Sequence, residues 1–302
     1  MPSRIGFVIL SHANPRQLRR LVSALQRSYE SPTIVCHHDF SQCFLSTEDF
    51  QGDTEFVIPS LRTRWGRISV VDAALRALKR LFEISQPDWF FLLSGADYPV
   101  MRGDKVWKEL RDNPNDALLD MREVVNPPFW SRPPFPDNPA LEHFVSPGNL
   151  EVAWHRYVGM NLWLPKLTRG PRVARQMFYP SVRAIWSPFN AKYRCFYGDH
   201  WFAGNAKVAQ ILLKPTRDDR RLHRYLAWRA SADECYYQTV LANADVKIDR
   251  ASRRFAVWDG GGAHPKNLGY EDLAAIFGSG AYFARKFEPD ADVLDEIDAA
   301  LR

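Results

Sequence analysis

A chain of 302 residues with 46% hydrophobic content has room for one large α/β domain or two small ones and a sizeable core. Lys and Arg number 40 against 35 for Asp and Glu, a net charge of +5 that suits an anionic small ligand and excludes a polybasic nucleic-acid binder. The opening apolar run, Ile5 to Leu10, is too short for a secretory signal or a membrane span.

Ile5 to Leu10 reads as a buried strand ending at Ser11 and His12. Pro15 then opens a helical pattern through Leu18, Leu21, Val22 and Leu25. Thr33 to Cys36 repeats the strand signal and ends in His37-His38-Asp39. Glu55 to Ile58 gives a further short strand before the polar stretch RTRWGR, which contains Trp65. Ser69 to about Glu83 has the period of a helix lying on a sheet, and the apolar strand Trp89 to Leu93 stops at SGADYP. Fully apolar strands alternating with amphipathic helices predict an α/β fold, with a mostly parallel twisted sheet covered by helices on both faces. Such sheets bind ligands beyond the carboxyl ends of their strands, and those ends carry Ser11, His12, Asp39, Trp65, Ser94 and Asp97.

The first hundred residues therefore look like a nucleotide-binding half, and the chain divides as 1–124 and 151–302 of a single domain. Between them, 125–150 is too proline-rich for regular structure and reads either as a loop near the site or as a solvated excursion. The second half predicts helices near 206–213, 218–229, 234–243, 270–277 and 290–301, with short strands near 246–249 and 254–258. Four cysteines, Cys36, Cys43, Cys195 and Cys235, form no CxxC pair. With no export signal, the expectation is a cytoplasmic chain with free thiols.

Several segments concentrate chemistry. SADECYYQT sets Ser231 three residues before Glu234, the spacing of a helix capping box, and also places two carboxylates, Asp233 and Glu234, where a general base could sit. SGADYP offers Asp97 at a strand end or a simple Asx turn. GDHWF offers Trp201 as a sugar platform or as a core indole. Strand, three glycines and Lys266 in WDGGGAHPK have the grammar of a phosphate cradle without being a P-loop. Arg285 and Lys286 in FARKF are a snorkelling surface pair or, with Lys266, a cationic clamp for a departing diphosphate. The one Asp-x-Asp, Asp290-Ala291-Asp292, is better explained as the start of the last helix than as a metal motif.

The order SGADYP, GDHWF, SADECYYQT, WDGGGAHPKNLG and FARKF resembles the core-2/I-branching β-1,6-N-acetylglucosaminyltransferase family, which includes the peptide O-xylosyltransferases, and in WDGGGAHP its plant and bacterial branch. The resemblance runs from the first strand to Phe287 and implies that 151–302 is the acceptor and catalytic half. It implies a GT-A-like fold and inverting transfer from a UDP-sugar, GlcNAc or xylose, to a hydroxyl of a glycan or other acceptor, with no metal and no other cofactor. It also implies Glu234 as catalytic base, with Lys286, Lys266 and Arg285 on the diphosphate. Asp39 then contacts the uridine, with His12, Trp65 and Asp97 beside it at the strand ends. Trp258, Trp201 and Asp233 fall on the acceptor side. The chain lacks the membrane anchor, stem and disulfide framework of the animal enzymes, so the expected setting is the cytoplasm, at the inner membrane face through peripheral association. A rival reading, a non-catalytic carbohydrate-binding module, explains the aromatic content but not a base beside a cationic clamp.

Overall fold

The structure is a computed structural model, and it describes residues 4–30, 32–50, 52, 54–125, 153–160, 162–166, 174–178, 183–258 and 265–302. The proline-rich segment 126–150 and the glycine loop 259–264 lie outside the described residues. In chain order the first half contains β1 (Ile5–Ser11), α1 (Pro15–Ser28), β2 (Thr33–His38), β3 (Glu55–Phe56), α2 (Ile68–Ile84), β4 (Trp89–Ser94), β5 (Tyr98–Pro99), α3 (Gly103–Arg111), β6 (Ala117–Leu118) and β7 (Arg122–Glu123). A π turn, Trp154–Val158, precedes β8 (Leu162–Lys166), β9 (Ala174–Phe178), β10 (Phe196–Tyr197), β11 (Ala203–Asn205), α4 (Ala206–Leu213) and α5 (Arg217–Leu226). The chain closes with α6 (Tyr236–Ala242), β12 (Ile248–Asp249), β13 (Arg254–Ala256), α7 (Leu273–Gly278), β14 (Phe283–Arg285) and α8 (Val293–Ala300).

Seven strands form the central sheet in the order β12-β6-β11-β4-β1-β2-β3, so both halves of the chain build one sheet. β1 pairs in parallel with β2 and β4, β2 with β3, and β12 with β6. β11 runs antiparallel to both β4 and β6. That reversal has no signature in the sequence, because Ala203-Gly204-Asn205 is too short to carry an apolar run. β1 shows why both faces are covered. Phe7 and Ile9 pack with Leu18 and Leu25 of α1 and Ile297 of α8, while Val8 packs oppositely with Val71 and Leu78 of α2. This is the period-two alternation of a strand buried on both sides.

A second sheet, β13-β14-β5, sets Arg285 opposite Ala256 and brings β14 alongside Tyr98. The helices expected at 218–229, 234–243 and 290–301 are each shorter. α5 starts from a reciprocal capping box between Thr216 and Asp219 and stops at Leu226. The last helix begins at Val293, and Asp292 at its N-cap makes no side-chain capping bond, so the capping expected of that acidic pair does not form. All four cysteines are free thiols, with the Sγ atoms of buried Cys195 and Cys235 3.9 Å apart. Among the described residues no helix is long and apolar enough to cross a membrane.

Candidate functional site

The carboxyl ends of β1, β2 and β4 converge. Asp39 N–H donates to Ser11 O at 2.8 Å and Gly95 N–H to Leu10 O at 2.9 Å. His12 is exposed beside them, just after Ser11, whose hydroxyl lies 3.2 Å from His38 Nδ1. Asp39 itself is 1% exposed and its carboxylate is fully engaged. Oδ1 accepts from Ser41 N–H and its hydroxyl; Oδ2 accepts from Gln42 Nε2 and from Thr63 N–H and hydroxyl, at 2.6 to 3.0 Å. Burial alone would raise its pKa, but these donors hold it well below the usual carboxylate range. Asp39, expected to contact a uridine, therefore spends its lone pairs tying the turn after β2 to the loop 61–67.

That loop carries exposed Trp65 onward to the segment holding Glu234. Gly66 sits at φ +66°, and a Cβ there would lie 3.4 Å from Ser231 N. Its carbonyl accepts from Ala232 N–H at 3.1 Å. Ser231, also left-handed at φ 50°, makes no side-chain cap; its carbonyl accepts from Tyr157 Oη at 2.9 Å. The capping box expected from the S-x-x-E spacing is thus absent. The left-handed Ser231 turns the chain into a 3₁₀ turn, Ala232–Glu234, and α6 begins only at Tyr236.

Released from capping, Glu234 turns its side chain to Arg156 on the π turn, with Oε2 3.2 Å from Nη1. The Arg156 side chain is 13% exposed and that of Glu234 39%, so the carboxylate is reachable while its partner is covered. Burial raises the Glu234 pKa, Arg156 opposes the rise, and the carboxyl of Asp199 adds to it. Asp233 is the buried neighbour, 9% exposed, with Oδ1 unpartnered among the described residues. Burial and the Glu234 charge push Asp233 up to about 7. Of the two carboxylates, Glu234 is the one open to the surface.

The Asp233 shift has a stability signature. Its folded-state pKa lies above the value of about 3.9 in an unfolded chain, so between about pH 4 and 7 the folded state holds the extra proton and stability falls as pH rises. The unfolding midpoint of Asp233→Asn relative to wild type is expected to climb across that window. An offset independent of pH would show that Asp233 ionises normally.

Beyond Asp233 the site becomes cationic. His200 Nδ1 lies 3.4 Å from Asp233 O, and its ring meets Trp201 edge to face at 4.5 Å. Trp201, expected on the acceptor side, instead packs under two guanidinium groups, Arg285 at 5.1 Å and Arg254 at 5.9 Å from its centroid. Both arginines face Asp97, at 3.5 Å and 3.4 Å. Asp97 is 0% exposed and accepts from Ser94 N–H at 2.8 Å, so it serves as an internal counter-ion and not as an open nucleotide contact. Asp199 lies in the same field, raised by burial and lowered by both arginines. It is placed by Gly198, where a Cβ would meet Asp120 O at 2.0 Å. Gly198→Ala must push that backbone apart, and about 1–3 kcal/mol of lost stability is expected in urea unfolding; an unchanged midpoint would contradict the close approach.

Lys266 and Lys286 are brought together by backbone pairing, Leu268 N–H to Lys286 O at 2.7 Å and Lys286 N–H to Lys266 O at 3.4 Å. Their side chains differ. Lys266 Nζ is held by Glu271 at 3.0 Å and Asp272 at 3.1 Å, which offsets its charge. Half-buried Lys286 forms no ion pair or side-chain hydrogen bond among the described residues. Trp258, 53% exposed, stands at the last described position before the glycine loop. Sequence reasoning missed Arg156, Arg254 and Asp199. Asp199 was within reach, since it stands beside Trp201 in GDHWF. Arg156 had no local signal. Among the described residues no three His, Cys, Asp or Glu side chains group as metal ligands.

The Core-2/I-Branching enzyme family profile matches residues 5–122 and 164–277, and the chain belongs to that family. It is 25% identical over 258 residues to "Beta-glucuronosyltransferase GlcAT14B" of Arabidopsis thaliana, covering 83% of this chain and 52% of that one. It is 30% identical over 113 residues to "Xylosyltransferase 1" of Homo sapiens, covering 35% and 12%. The chain thus spans about half the length of the plant relatives. Among solved structures, galactosyltransferase LgtC in complex with donor and acceptor sugar analogs superposes over 98% of this chain with TM-score 0.41 and 10% identity.

Proposed function

We propose that this protein is an inverting, metal-independent glycosyltransferase that moves a sugar from a UDP-sugar to an acceptor hydroxyl. The observation that carries the reading is Glu234, a reachable carboxylate with a raised pKa, paired to Arg156 and linked through His200 and Trp201 to the Arg254–Asp97–Arg285 cluster. Glu234 accepts the acceptor's proton as its oxygen attacks the anomeric carbon, and inversion follows from that single displacement. The bond to the diphosphate breaks on the opposite face, where Arg285 and Lys286 neutralise the leaving charge. Lys266, already paired to Glu271 and Asp272, serves more distantly. Family membership supports the reaction class. The relatives' names add glucuronic acid to GlcNAc and xylose as the donor sugar.

The test is a thermal-shift screen of UDP-GlcNAc, UDP-xylose and UDP-glucuronic acid, since a ligand that binds only the folded state raises its midpoint. UDP release from the stabilising donor, with and without excess chelator, follows. Release undiminished by chelator supports the proposal, and loss restored by manganese refutes its metal-free part. Glycan binding with no turnover of any donor would favour the carbohydrate-binding module.

A further inference from the structure

Two segments close to Glu234 carry a local excess of positive charge. Residues 58–76 and 217–229 hold nine arginines and three acids, an excess of six, whereas the whole chain's excess is five. The stretch 152–198 is also basic, with eight Lys and Arg and no acid, and acidic segments elsewhere bring the remainder of the chain close to neutral. The two arginine-bearing segments adjoin: Arg67 Nη1 donates to Arg229 O at 3.4 Å, and His223 bonds Asp72 at 2.6 Å. That bond occupies Asp72, and buried Asp219 accepts from the hydroxyls of Thr216 and Tyr193, so Asp218 is the one exposed acid of the three. Every arginine of the set except Arg229 is exposed, and none of those exposed pairs with a carboxylate among the described residues. Large apolar side chains project among them: Ile58 is 72% exposed, Trp65 54% and Trp228 84%.

A soluble polyanion would use the arginines and leave Ile58 and Trp228 in water. A bilayer interface takes both, with guanidinium groups at anionic headgroups and the indoles and aliphatic tip in the layer beneath. We propose that this face docks the protein peripherally on an anionic lipid bilayer. The proposal goes beyond glycosyl transfer and does not depend on it.

The test is flotation of the full chain with phosphatidylcholine vesicles, with and without phosphatidylglycerol, at low and high salt. Wild type is expected to float only with the anionic vesicles, and less at high salt. Each arginine near such a surface is worth roughly fivefold in partitioning, so Arg62→Ala/Arg64→Ala/Arg224→Ala should lose about 100-fold. Trp228→Ser should lose roughly tenfold through its apolar contact alone. Thermal melts establish that both variants fold; should the triple variant fail, Trp228→Ser and the wild-type lipid comparison still decide. Failure of wild type to float with anionic vesicles overturns the proposal, as does flotation unchanged by the substitutions. So does retention on an acidic polysaccharide matrix with no vesicle binding.

Discussion

Glu234→Gln keeps the shape of the side chain and removes its basicity, and the transfer rate is expected to fall by about 10² to 10⁴, the usual worth of a general base. Donor affinity should stay near wild type, because the cation cluster is untouched, while the unfolding midpoint should fall, because the covered Arg156 guanidinium loses its carboxylate. Turnover near the wild-type rate would remove Glu234 from the mechanism. A companion variant separates the base from its surroundings. Arg156→Ala deletes the charge that favours ionised Glu234, so the carboxyl pKa rises further and the acid limb of the rate profile moves to higher pH. In Glu234→Gln that limb should vanish, leaving residual activity flat through the same range.

The largest stability effect is expected at Asp97. The carboxylate is 0% exposed and faces Arg254, whose side chain is 3% exposed, and Arg285, at 15%. Asp97→Asn leaves the Ser94 amide an acceptor but abandons two desolvated guanidinium groups. Breaking a buried pair this way typically costs about 3–5 kcal/mol, far more than the intact pair contributes over an apolar substitute. Urea unfolding should show the loss, and Asp97→Asn/Arg254→Met should recover part of it, because the second change removes one stranded charge. Additive losses in that double variant would mean the two side chains do not interact.

What could be read in advance, and what could not, follows from the range of each contact. β1 to β4 with α1 and α2 were legible because strand and helix periods are local properties, and Val8 against Phe7 shows how faithfully alternation assigns a face. Glu234, Arg285 and Lys286 were legible as residue types in recognisable order. Their surroundings were not. Arg156 reaches Glu234 from 78 residues away, and Arg254 reaches the β4 carbonyl of Leu92 from 162. No spacing in the chain encodes such a meeting. Asp39 shows the opposite failure. A carboxylate at a strand end looks available in sequence, yet the Thr63 amide and hydroxyl arrive from another loop and occupy it. Ser231 repeats the lesson, since S-x-x-E spacing says nothing of the Gly66 carbonyl that draws Ala232 away from a regular helix start.

The cluster around Asp97 also bears on how long the protein survives. Two buried guanidinium groups share one fully buried carboxylate, and holding that charge out of water costs the fold part of its stability. In the proposed reaction a donor diphosphate held by Arg285 offsets part of that cost, so donor binding should make the chain harder to open. Chains that open are the ones proteases remove. The amount of this protein in a cell should therefore follow the supply of the proposed donor, rising when that donor is plentiful with no change in synthesis.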